Sequence, residues 1–158
     1  MRGEALSAGL LGTAAPLAAD AVLLLETAMG VALLFGAWLA RTKRFRQHAW
    51  CQSGIVLLNL AVIAVAMTPS FRLQVLPRIP AKLGKPYYAL ATAHAGLGTV
   101  AELAALYILV AAGTRLLPEK LRITSYKAWM RSVLLLWWLV VLLGFATYVR
   151  WYIPDLFR

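Results

Sequence analysis

Cysteine is almost absent from this chain: Cys51 is the single one in 158 residues. That excludes an internal disulfide and any CxxC redox or zinc motif. Histidine is nearly as scarce, and His48 and His94 alone cannot build a zinc site of ordinary type. Acidic residues number six, and charged residues of both signs make up only 14% of the chain. A soluble domain of this length carries about a quarter charged residues to clothe its core. No phosphate-cradling glycine loop, GxSxG or carboxylate pair at catalytic spacing occurs, and a soluble catalytic triad is hard to assemble from these parts.

What is abundant is apolar surface: 62% of residues are hydrophobic, with a mean hydropathy of +0.75. The apolar residues come in blocks of about 20, the length that crosses roughly 30 Å of hydrocarbon. The formal net charge of +10 is not the signature of a nucleic-acid binder. The Lys and Arg residues sit between the apolar blocks, where they meet lipid headgroups, and no soluble basic domain exists to hold DNA.

Four spans follow. The first runs from about Leu17 to Ala40 and stops at Arg41-Thr42-Lys43-Arg44-Phe45-Arg46. The second covers about Trp50 to Met67 and stops at Thr68-Pro69-Ser70. The connection from Phe71 to Tyr88 holds Pro77, Pro80, Pro86 and Gly84 and is expected to have little regular structure. The third span covers about Ala89 to Ala112, and the basic loop 114–127 contains Pro118, which breaks a continuous helix. The fourth runs from about Ala128 to Trp151, with Pro154 just beyond. Backbone polar groups in hydrocarbon must be satisfied internally, so these blocks are helices, and they lack the alternation of barrel strands. The fold class expected is all-α: one integral membrane domain, a bundle of about four transmembrane helices.

Met1 to Ala19 has a faint signal-peptide look but carries Glu4, and its apolar character continues, so it is read as uncleaved. Within it, Ala5 to Ala15 is rich in Gly and Ala and is expected to form a short interfacial or re-entrant helix.

Orientation comes from basic residues. The segments 41–46 and 113–131 carry four and five, against one near the N-terminus, four in 71–88, and Arg150 and Arg158. The tight cluster after the first span decides for a bacterial inner-membrane protein with both termini outside. Trp38, Trp50 and Trp129 then mark the inner interface, and Tyr87, Tyr88, Trp151 and Tyr152 the outer one.

Ionisable groups inside a bilayer cost about 2.5–3.5 kcal/mol each on insertion scales, so each invites an explanation. Glu26 and Glu102 lie deep in the first and third spans, with Asn59 mid-depth in the second. One reading is a buried polar cluster that relays protons or supports a cofactor. The other is carboxyls that hydrogen-bond across helices and hold the bundle together. Asp20, nearer the outer end, is expected to be interfacial and solvated.

His94 stands eight residues before Glu102, a little over two turns, so the two share a face with Gly98 between them. Such a small-residue face suits a haem with His94 as axial ligand, or close helix packing. His48 and Cys51, one turn apart beside Gln52, could ligate copper or haem iron, or be an interfacial histidine and a buried thiol. On the topology above, His48 and His94 lie at opposite membrane faces and cannot share one haem. Arg131 either snorkels to the headgroups or pairs with a haem propionate. Tyr107 and Tyr148 need hydrogen-bond partners if buried, and Trp137-Trp138 lie in mid-membrane.

The basic loop before His48, the prolyl loop ending Tyr87-Tyr88 with Leu90 and His94 after it, and the final span with Gly144 and Tyr148 form one ordered set. From about Leu17 to Tyr152 the chain resembles the domain-of-unknown-function four-twenty family of small bacterial membrane proteins. That resemblance implies a four-helix protein tied to haem-copper oxidase maturation or function, with His48 and His94 as cofactor or metal residues. The family usually has a further histidine just before the final span. Here Ser125-Tyr126-Lys127 stands instead, which weakens the ligand set and favours a structural or accessory role.

The functional expectation is an accessory or assembly subunit of a larger respiratory or photosynthetic energy-converting complex. Its partners would be other membrane subunits and lipids, with no nucleic acid. The alternative is a small b-type cytochrome linked to quinol, with His94 as a haem b ligand, Arg131 or Arg150 as propionate partner, and Glu26 or Glu102 as proton acceptor. Copper is the weaker cofactor expectation.

Overall fold

The structure is a computed structural model that describes residues 9–114, 116, 118, 120 and 124–153. Among these residues every regular element is helical. Helix α1 spans Leu17–Arg41, α2 Phe45–Val62, α3 Thr68–Gln74, α4 Pro86–Gly113 and α5 Tyr126–Tyr152. Among the described residues four stretches are long and apolar enough to cross a membrane: α1, the continuous run Phe45–Arg78 that begins with α2, α4 and α5. These helices fit a multi-pass membrane protein, in line with the composition.

Prolines fix two of the starts. Pro16 stands at the N-cap of α1, and Pro86 occupies the first turn of α4, where its missing N–H costs nothing. The first, third and fourth spans match the apolar blocks to within three residues at either end.

The second span does not stop at Thr68-Pro69. Helix α2 passes through a π-helical turn, Ile63–Met67, directly into α3, and a short 3-10 turn follows at Leu76–Arg78. The Thr68 N–H bonds to the Ile63 carbonyl five residues back. That widened turn gives the Pro69 ring room where an ordinary α-turn would drive it into the preceding carbonyl. The expected breaker is thus absorbed, and the connection 71–88 is helical for its first half.

Helix α4 packs most extensively on α5, and α1 on α2, while α1 also meets α5 and α2 meets α4. Glycines set the close approaches. A Cβ at Gly30 of α1 would lie 3.4 Å from the Trp138 ring, and one at Gly98 of α4 would lie 3.4 Å from Val140. At two other glycines a Cβ would come nearer still to a side chain of the facing helix. At Gly36 it would be 2.6 Å from Gln52 Nε2, and at Gly144 2.9 Å from His94 Cε1. Lipid tails are as apolar as leucine, so this close backbone approach, not apolar burial, drives association inside a bilayer. The core beneath is Met29, Leu33, Ile55, Val56, Ala105 and Trp137, drawn from all four spans.

Aromatic residues close both ends. Tyr87 stacks on Trp151 (4.8 Å between centroids, 13° between planes), and the Trp151 indole donates to the Tyr87 carbonyl at 3.1 Å. At the other end Trp38, Trp50 and Trp129 stand exposed, and the Arg44 guanidinium lies 5.9 Å from the Trp38 ring. Tyr126 donates to the Ala111 carbonyl and ties α5 to α4.

Ahead of α1, Gly9–Ala15 forms no helix. It is a tight turn, with Gly12 N–H bonded to the Gly9 carbonyl and Gly12 at φ 68°, which a glycine adopts without strain. The remainder of the expected interfacial helix, residues 5–8, lies outside the described residues, as do Pro154 and Arg158.

Candidate functional site

Two polar constellations are buried in the bundle. The first closes the end of the bundle where α1 begins and α5 ends. Asp20 is fully buried (0% exposed), which corrects the expectation of a solvated interfacial residue. The turn Gly9–Ala15 folds back over it: Leu11 N–H donates to Oδ2 at 2.9 Å, and the Tyr148 hydroxyl of α5 donates to Oδ1. Thr13 Oγ1 lies 2.6 Å from the same hydroxyl. Asp20 is buried because the turn ahead of α1 folds back over it as a lid, a contact that its position near the end of the span does not reveal.

The second lies more than two helical turns from the ends of the spans and draws one polar side chain from each. Asn59 Nδ2 donates to Glu102 Oε2 at 2.9 Å, joining the second span to the third. Both residues are deeply buried, Asn59 at 7% and Glu102 at 4% exposed. Glu26 of α1 stands one turn before Met29, which packs in the same core cluster as Ala105, one turn after Glu102. Trp138 of α5 packs against Gly30, one turn beyond Glu26. Four buried atoms there, Glu26 Oε1, Asn59 Oδ1, Glu102 Oε1 and Trp138 Nε1, have no hydrogen-bond partner among the described residues. Glu26, Asn59 and Glu102 were legible as a set from their depth. Trp138 was not singled out, although an indole N–H in mid-membrane always raises the question of its acceptor.

The histidines are separate from this cluster and from each other. His48 Nδ1–H donates to the Gly36 carbonyl at 2.8 Å, and Cys51 Sγ–H points to the Ala32 carbonyl at 3.6 Å. Both therefore hold α2 against α1 at the end marked by Trp38 and Trp50. His94 Nδ1–H donates to the Val140 carbonyl at 3.0 Å, and its ring lies on Gly144. The carbonyl can only accept, so Nδ1 carries the proton in both rings. Arg131 is exposed on the first turns of α5, well removed along that helix from the His94 contact at Val140 and Gly144.

Whether a haem fits can be read at His94. The small-residue face of His94 and Gly98 is filled by Val140 and Gly144 of α5. A porphyrin alongside His94 would require α4 and α5, the most extensively packed pair, to separate. The residues present do not fit a haem there, and the glycine face serves helix packing. No group of three His, Cys, Asp or Glu side chains converges among the described residues, so His48 and Cys51 are not joined by a third donor.

Comparison with known proteins yields no matching family model, curated protein or solved structure.

Proposed function

We propose that this chain is a non-catalytic accessory or assembly subunit of a larger energy-converting complex in the bacterial inner membrane. The observation that carries this reading is the presence of small residues on outward faces within the spans. Gly54 of α2 and Gly96 of α4 are exposed, and a Cβ added to either meets no neighbouring atom. Ala93, one turn before Gly96, is exposed as well. Small residues in a bilayer serve close helix contact, and these are turned away from the chain's own helices. Lipid alone is covered as well by leucine.

One further feature supports the energy-converting setting. The carboxyls Glu26 and Glu102 within the spans, the latter bonded to Asn59, suit a proton-handling membrane. Other membrane subunits and lipids are the partners in this reading. The basic cluster Arg41–Arg46 faces the cytoplasm, with both termini outside.

Purification of the tagged chain from its native membranes in mild detergent tests the proposal. The expected result is co-migration with a larger complex, lost in Gly96→Leu or Gly54→Leu while the variant chain itself stays folded. A stable isolated chain that alone restores the activity missing in a deletion strain would overturn it.

A further inference from the structure

The four unpartnered atoms of the mid-bilayer cluster are a specific deficit. In a folded protein a buried polar group almost always has a partner, and each exception calls for an explanation. Here the exceptions come from four different helices, and Met29, Val56, Ala105 and Trp137, each within one turn of one of them, pack in a single core cluster. Two of them, Asn59 Oδ1 and Glu102 Oε1, belong to side chains more than nine-tenths buried. The Asn59 oxygen is neutral and is identified as the oxygen because Nδ2 donates to Glu102. It shows that the deficit is not merely two acids placed together.

The chemistry of the four atoms says what would satisfy them. Trp138 Nε1–H is a donor and nothing else, while the other three are oxygens. A metal cation would satisfy the oxygens but leave the indole N–H facing a positive charge. One water accepts from Trp138 and donates its two hydrogens to two of the oxygens, the three bonds that a buried water ordinarily makes. The third oxygen is then satisfied if its carboxyl carries one proton, because its O–H donates to the water's second lone pair, a fourth bond within the range of a buried water. One water and one proton close the account for all four atoms. The titratable groups facing this point are Glu26 from α1 and Glu102 from α4, while α2 and α5 contribute the neutral Asn59 and Trp138.

We infer that Glu26 and Glu102, with Asn59 and Trp138, form a buried binding site for one water molecule and one exchangeable proton shared by the two carboxyls. The site makes this chain able to take up and release a proton at mid-bilayer depth. It uses the cluster that supports the proposed function but does not rest on the subunit reading. The isolated full-length chain carries the site whether or not a partner complex exists, so the two can fail separately.

Infrared spectroscopy of the chain reconstituted in phosphatidylcholine vesicles at neutral pH tests the inference. The expected result is a protonated-carboxyl C=O band of one acid per chain, shifted in D2O and lost in the Glu26→Gln, Glu102→Gln double variant. It is also unchanged by added sodium chloride. A band that survives the double variant, a band equal to two acids, or the absence of any such band in the wild type would overturn it. Removal of the band by sodium would overturn it too, since the site would then hold that cation. Should the double variant not fold, Trp138→Phe is the second measurement: the one-acid band is kept but changes frequency as the water loses its donor. A band identical to wild type in Trp138→Phe would sink the shared water.

Discussion

Replacing Tyr148 with Phe removes one oxygen atom and tests the closure at the end of the bundle where α1 begins and α5 ends. The ring stays, so its packing on Tyr152 (5.2 Å between centroids) is kept. What is lost is the bond to Asp20 Oδ1 and the contact with Thr13 Oγ1. Asp20 is fully buried, so its Oδ1 is left without a donor, while Oδ2 keeps Leu11 N–H. An orphaned buried acceptor costs about 1–3 kcal/mol. Each kcal/mol shifts the melting temperature of a chain of this size by about 2–4 °C, which brings the expected loss to roughly 2–12 °C. The turn ahead of α1 should loosen as well, because Thr13 is one of its two ties to the bundle. Thermal unfolding in detergent, with amide exchange at Leu11 as the local reading, checks both effects. Combining Tyr148→Phe with Asp20→Asn should cost less than the sum of the single changes, since both act on one bond. Wild-type melting together with unchanged protection at Leu11 would refute the claim that Asp20 and Tyr148 lock the lid.

Gly144→Ala places a methyl 2.9 Å from His94 Cε1 and 3.2 Å from Nδ1, so it should cost about 1–3 kcal/mol by overpacking. Part of that should return in the Gly144→Ala, His94→Ala double variant, measured by unfolding in detergent. Gly36→Ala should be milder, below about 1 kcal/mol, because the atom it meets is the amide end of the flexible Gln52 side chain. Asn59→Leu removes the donor to Glu102 Oε2 and should lower stability by about 0.6–1.7 kcal/mol, the span measured for hydrogen bonds between membrane helices. A reporter fused after Arg46 should read out as cytoplasmic, and an external signal there would reverse the proposed orientation.

The four spans were legible because a bilayer imposes a length that apolar blocks either meet or miss. Pro69 was misjudged because a proline's effect depends on the hydrogen-bond register before it. The π-turn at Ile63–Met67 that accommodates it leaves no compositional mark. Asp20 was placed at the surface for a different reason. Its burial comes from Leu11 and Tyr148, one nine residues away and the other at the far end of the sequence, and span boundaries contain no such contact. Depth along a helix is local, so Glu26, Asn59 and Glu102 could be placed well inside their spans. Which helix faces which is not local, and for this reason the His94–Gly98 face left both a haem slot and a packing surface open until Val140 and Gly144 were seen to lie against it.

The central claim, a packed membrane subunit and not a cytochrome, is tested most directly by one spectrum. The chain is purified gently with whatever co-migrates, and its absorption is recorded oxidised and dithionite-reduced, for wild type and His94→Ala. The account predicts that any b-type signal follows a larger partner and is the same in both. A reduced b-type band that stays with the isolated chain and vanishes in His94→Ala would contradict it.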